Sequence, residues 1–233
     1  MIFPIGDDQV KGGHFPILSY SFIVINILVY VYQASLGGDA YNTFIMTYGG
    51  IPKEIMAGQD SFTLLTSMFM HGSWMHLIGN MFFLWIFADN IEATIGTPRF
   101  LLFYILGGLA AHAGHIYFNM SSGIPTVGAS GAISAVMGAY LIMFPTSKIK
   151  TLIFFYIARI PAFIFLLFWI GQQLWAGSAD LQSAAGESSG VAWWAHIGGF
   201  AFGVIAGLYY RKKYGQMTGY PSQAGGYRRD EIL

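Results

Sequence analysis

Six stretches of this 233-residue chain are apolar over about the 20 residues that a helix needs to cross hydrocarbon. They run roughly over residues 15–36, 74–95, 100–118, 128–144, 149–175 and 191–210. Such segments leave a chain little freedom, because every backbone polar group in lipid must be paired inside the protein. Only 9% of the residues are charged, where a soluble domain carries about 25%. The expected fold is therefore an all-α membrane protein, a bundle of six transmembrane helices over residues 15–210. Residues 1–14 and the polar stretch 211–233 flank it.

The basic residues orient the bundle. With both termini in the cytoplasm, Lys11, Arg99, Lys148, Lys150, Arg211, Lys212, Lys213, Arg228 and Arg229 fall on the cytoplasmic side. Lys53 falls outside and Arg159 within the fifth span, where it would snorkel or pair with a neighbour. That asymmetry follows the positive-inside rule. The segment before residue 15 carries Asp7 and Asp8 and has no basic n-region, so it does not read as a cleaved signal peptide. The longest connection, 37–73, interleaves apolar and polar residues, a pattern that suits short interfacial helices. Net charge is zero, which gives no hint of a nucleic-acid partner. The absence of cysteine excludes a disulfide framework, a thiol nucleophile and a thiolate metal site.

Ionisable and reactive groups are costly in hydrocarbon, so each one in a span is a functional candidate. Spans two, four and six run in the same direction across the membrane. His76 and Asn80 lie early in span two, Ser130 opens span four, and His196 lies early in span six. Four polar side chains thus share the outer half of the bilayer. From Ser130 to Phe144 a helix covers only about 22 Å, too short for about 30 Å of hydrocarbon. The residues before Ser130 must therefore dip inward, where protein or a wet cavity receives their backbone.

Serine needs an adjacent base to act as a nucleophile, and His196 has the matching depth. At a helix N-terminus, Ser130 would also sit among unpaired N–H groups that favour a developing anion. Gly131 on span four, with Gly199 and Gly203 on span six, lies on small-residue ridges that let helices pack closely. His76 and Asn80, four residues apart, project from one face and can donate to an oxyanion. A soluble nucleophile elbow, G-x-S-x-G, is absent because position 132 is Ala. His71, His112 and His115 make a weak metal set, with no H-E-x-x-H and no carboxylate to complete it. No metal and no cofactor is expected. Asp89 and Glu92 read as partners of loop or helix-end amides, and Trp193-Trp194 suits an interfacial belt.

Gly128-Ala129-Ser130-Gly131, the segment from His71 through His76 to Asn80, and Ala195-His196-Ile197-Gly198-Gly199 with Gly203 together resemble the rhomboid family of intramembrane serine proteases. The resemblance implies a Ser–His dyad without a third acid: Ser130 as nucleophile and His196 as general base, then acid. His76, Asn80 and the Ser130 backbone N–H would form the oxyanion hole. It also implies transmembrane-protein substrates entering from the lipid bilayer, and a multi-pass protein whose site opens outward, here assigned to a prokaryotic inner membrane. One departure is Ser61-Phe62-Thr63-Leu64-Leu65-Thr66, where many members carry Trp-Arg. Two rival readings are a rhomboid-like protein that binds clients without cutting them, and a proton pathway. The first usually lacks the serine or histidine, and the second needs polar groups spread across the full depth.

Overall fold

Glycine and alanine set the centre of this fold. The structure, a computed structural model, describes residues 2–8, 13–182 and 190–215; Lys11, Arg228, Arg229 and the polar stretch beyond 215 lie outside the described residues. In chain order it contains β1 (Ile2–Gly6), α1 (Ile17–Ser35), α2 (Gly38–Tyr48), α3 (Pro52–Met56) and α4 (Thr63–Thr66). A 3-10 turn (Ser67–Phe69) leads to α5 (Trp74–Ile95), α6 (Thr97–Phe118) and α7 (Ser130–Met143). Then follow β2 (Lys148–Ile153), β3 (Tyr156–Pro161), α8 (Ala162–Asp180) and α9 (Trp193–Tyr214). Helices α1, α6 and α8 are each long and apolar enough to cross a membrane, and α7 is a shorter apolar helix. Helices α5 and α9 have the length, 22 residues each, but carry polar or charged residues toward their C-terminal ends.

Helix α7 is the axis, and every residue from Gly131 through Tyr140 is buried. On α9, Gly199 lies against the Gly131 carbonyl, Gly203 against that of Ala135, and Gly207 against Ala139. The same offset recurs every four residues, so the two helices run parallel and touch backbone to backbone. Gly138 returns the contact, lying against the Phe200 carbonyl. Helix α6 runs the opposite way along both, with Gly107 on Ala135 and Gly114 on the Trp194 carbonyl.

The far end of the bundle is tied by carboxylates. Glu92 accepts from the N–H groups of Leu18 (2.9 Å) and Ser19 (2.7 Å) and from the hydroxyls of Ser19 (2.7 Å) and Thr97 (2.9 Å). One buried side chain thus caps α1 and joins it to the α5–α6 turn, using donors that a helix start leaves unpaired. Asp7 accepts from the Asn90 amide and the Tyr140 hydroxyl, which ties the N-terminal strand to α5 and α7.

The all-α expectation needs correction. Residues 148–161 form a hairpin, and β1 joins it in a three-stranded antiparallel sheet of order β1-β2-β3. The sequence there alternates: Ile149 and Thr151 are buried while Lys148 and Lys150 are half-buried, the period of a strand. Pro161 then starts α8, so the fifth long helix covers Ala162–Asp180 rather than 149–175. Arg159 lies in β3, exposed and paired in register with Lys150, not inside a span. Residues 1–14 likewise contribute a strand, and α9 continues to Tyr214 past the expected end at 210. In the long connection 37–73 the structure has short helices, α2 to α4.

Gly203→Val is expected to destabilise the protein by about 3 kcal/mol or more, because a branched side chain cannot fit against the Ala135 carbonyl. Thermal unfolding in detergent, beside Gly171→Ala at an open helical position, checks this.

Candidate active site

The N-terminal ends of α5, α7 and α9 meet, and the expected side chains meet with them. Ser130 is the first residue of α7, and its N–H is among the four that no intrahelical carbonyl can reach. His196, in the first turn of α9, places Nε2 2.9 Å from Ser130 Oγ. The register of Gly199 on Gly131 brings them together, since each of the two residues is within one turn of that contact. Around the imidazole stand Trp169 of α8, ring centroids 5.8 Å apart, and Trp193, 6.3 Å away.

His76 reaches the same spot from α5. Ser73 caps that helix, accepting from the His76 N–H at 3.1 Å. The Gly72 N–H donates to His76 Nδ1 at 3.4 Å, so a neutral ring carries its proton on Nε2. That nitrogen lies beside Gly128, whose φ of +136° suits glycine. A Cβ there would stand 2.9 Å from His76 Nε2 and 3.5 Å from Ser130 Oγ.

Asn80 lies one turn further along α5, with Nδ2 2.9 Å from Nε2 of the fully buried His71. Burial, with the His76 ring beside it, pushes the His71 pKa down to about 3, so the imidazole is neutral. Its Nδ1 has no partner among the described residues. A buried N–H without an acceptor is rarer than a bare acceptor, which favours the proton on Nε2, donated to the amide oxygen. A half-turn of the Asn80 amide sets its oxygen against that N–H, and both N–H bonds of Asn80 then turn away from His71. The His71 backbone is itself held by Gln33, at 2.6 Å and 3.3 Å.

The other two histidines pin the segment that leads down to Ser130. His112 Nε2 lies 3.1 Å from Ser67 Oγ, and His115 Nε2 lies 2.9 Å from Thr126 Oγ1. Gly50 and Thr126 exchange backbone bonds, and the Gly128 N–H donates to the Ser67 carbonyl at 2.9 Å. Burial deepens along this segment, from exposed Gly123 and Ile124 to fully buried Ala129.

Ser130 and His196 stand between two openings. One is a cavity of about 710 Å³ with a polar wall that includes His76, His115, Asn119 and Thr126. The other, of about 270 Å³, is an apolar crevice reached between α5 and α8, bounded by Met75, Phe83, Met137 and Trp169. The arrangement suits a reaction needing water from one side and an apolar chain from the other.

Two residues escaped the sequence reading. Gln173 of α8 places Oε1 2.8 Å from His196 Nδ1, and His71 partners Asn80. A Gln inside an apolar helix carries the same cost signal that marked the histidines. His71 was weighed there only as a metal ligand.

The Rhomboid domain family model matches residues 58–213, a stretch holding all of these groups except Gln33 and Gly50. The chain is 31% identical over 126 residues to the Rhomboid protease GluP of Bacillus subtilis, covering 54% of this chain and 24% of that protein. It is 32% identical over 156 residues to the RHOMBOID-like protein 6, mitochondrial, of Arabidopsis thaliana, covering 67% of this chain and 46% of that protein. With the Rhomboid protein 1, mitochondrial, of Saccharomyces cerevisiae it shares 26% identity over 173 residues, 72% and 47% of the two chains. The chain therefore spans less than half the length of these relatives.

Gly128→Ala should push the His76 ring aside and strain the backbone. The expected outcome is a fall of about tenfold or more, equal to 1.4 kcal/mol, in the rate at which a fluorophosphonate labels Ser130.

Proposed function

The chain belongs to the rhomboid family, and from that premise we propose that it is an intramembrane serine endopeptidase. The observation that carries the proposal is the 2.9 Å approach of Ser130 Oγ to His196 Nε2 where a cavity with polar groups on its wall meets an apolar crevice. Ser130 Oγ attacks the scissile carbonyl carbon and passes its proton to His196 Nε2. The resulting oxyanion takes hydrogen bonds from His76 Nε2, the Asn80 amide and the Ser130 N–H. His196 then gives the proton to the leaving amine, the C–N bond breaks, and an acyl ester remains on Ser130. A water from the polar cavity, deprotonated by His196, attacks that ester. The acid product leaves and the Ser130 hydroxyl is restored.

In this reading the domain occupies residues 15–210 and α1, α5, α6, α7, α8 and α9 are six spans with both termini cytoplasmic. The alternation of their directions and the placement of Lys and Arg support it. The site then opens to the outer side, and substrates are transmembrane proteins that enter from the bilayer between α5 and α8. Neither a cofactor nor nucleic acid takes part. Relatives named as mitochondrial stand beside a bacterial one, which supports a membrane protein but not the prokaryotic inner membrane expected from the sequence.

Purified protein in liposomes with a generic transmembrane substrate tests the proposal. Ser130→Ala and His196→Ala should each lose cleavage by about 10³-fold or more. His76→Ala and Asn80→Ala, which remove oxyanion donors, should each lower kcat by about 10²-fold. Equal cleavage by wild type and both dyad variants would overturn the assignment. Absence of cleavage together with a Ser130 inert to fluorophosphonate would favour the client-binding reading.

A further inference from the structure

Three side chains from three helices are joined through one imidazole: Ser130 of α7, His196 of α9 and Gln173 of α8. We infer that Gln173 is a positioning residue for this site, one that holds the His196 proton on Nδ1 and so leaves Nε2 free to act as the base. The inference rests on the hydrolase reading above and adds a third member to its dyad.

The amide has one sensible orientation. Gln173 Oε1 faces His196 Nδ1 at 2.8 Å while its Nε2 donates to the Trp169 carbonyl at 3.5 Å. Turning the amide over would set its oxygen against that carbonyl, two acceptors facing each other. Oε1 can only accept, so Nδ1 must be the donor. A neutral imidazole carries one proton, and with it on Nδ1 the nitrogen facing Ser130 is a lone pair. The opposite tautomer would present Ser130 with an N–H and no base.

The choice of an amide has a physical reason. A carboxylate at this depth would be a buried charge, costly whenever His196 is neutral. Glutamine accepts the same hydrogen bond without that charge, and Nδ1–H keeps its acceptor when Nε2 takes the serine proton. Only 7% of Gln173 is exposed, so water does not compete for the bond. Trp169, one turn earlier on α8, lies against the same imidazole.

The test compares Gln173→Met, close in shape but without an acceptor, with Gln173→Glu, which keeps an oxygen in place. Each is read for kcat and KM on a transmembrane substrate and for the rate of Ser130 labelling by a fluorophosphonate, with thermal unfolding as the fold control. Gln173→Met should lower kcat and labelling by about 10- to 100-fold, the range in which partners that orient an imidazole act. KM should stay within about twofold, and Gln173→Glu, which keeps an acceptor oxygen for Nδ1–H, should retain more of the rate than Gln173→Met. A Gln173→Met protein with wild-type kcat and labelling overturns the inference, as does one altered only in KM. Nitrogen-15 spectra of histidine-labelled wild type read the tautomer without any variant: protonated Nδ1 on His196 is expected, and protonated Nε2 overturns it. Failure of the hydrolase reading is separate: it would show in the wild type, as cleavage that does not depend on Ser130 or as no cleavage with an inert Ser130, and the nitrogen-15 readout of the tautomer does not depend on it.

Discussion

The contact between α7 and α9, backbone against backbone, is what the rest of the structure depends on. In lipid no hydrophobic force presses two apolar helices together, and association rests on close packing and polar bonds. A single atom pair contributes only about 0.1–0.2 kcal/mol, so helices gain most where nothing holds them apart. Gly199 and Gly203 supply that absence of side chain against Gly131 and Ala135. Ser130 adjoins the first of these contacts and His196 lies one turn before it. The distance between Ser130 and His196 is thus a property of the helix pair rather than of two flexible side chains.

Such a pair is useful only if α7 keeps its depth, and both of its ends are tied. At its C-terminal end Tyr140 bonds Asp7, which also takes the Asn90 amide. At the start, the descending segment is stitched to Ser67, Gly50, His112 and His115. The helix is 14 residues long, about 21 Å, so it does not span a bilayer by itself. The missing length is made up by that stitched segment, whose irregular backbone is tolerated because protein covers it on one side and a polar cavity opens on the other.

Much of this was legible in the sequence, for identifiable reasons. Apolar length located α1, α5, α6 and α9, and the brevity of 130–144 before Pro145 matches a 14-residue α7 preceded by a segment of deepening burial. The four-residue spacing of Gly131, Gly199 and Gly203 with their neighbours foretold the close pair. The hairpin was not legible by hydropathy, because Ile149, Leu152, Ile153, Phe154 and Phe155 are as apolar as a span. Its period of two, with Lys148 and Lys150 on one face, was the signal that counting apolar residues averaged away. Gln173 was missed for a different reason. Its meaning depends on which residue of another helix it faces, and nothing local to 162–180 encodes that Nδ1 of His196 lies opposite.

Helix α8 therefore stands apart from the other two helices of the site. Its outer face exposes Phe163, Ile164, Leu167, Phe168, Leu174 and Trp175, the composition of a lipid-facing surface, while its inner face gives Trp169 and Gln173 to His196. It also forms one wall of the apolar crevice that leads to Ser130. Ser130 and His196 are spaced by a rigid backbone contact, whereas the tautomer of His196 is set by the helix beside which an incoming chain would pass. Moving α8 outward would leave the Ser–His distance intact and yet take the acceptor from Nδ1. The wall of the crevice and the hydrogen bond on His196 Nδ1 thus share one element.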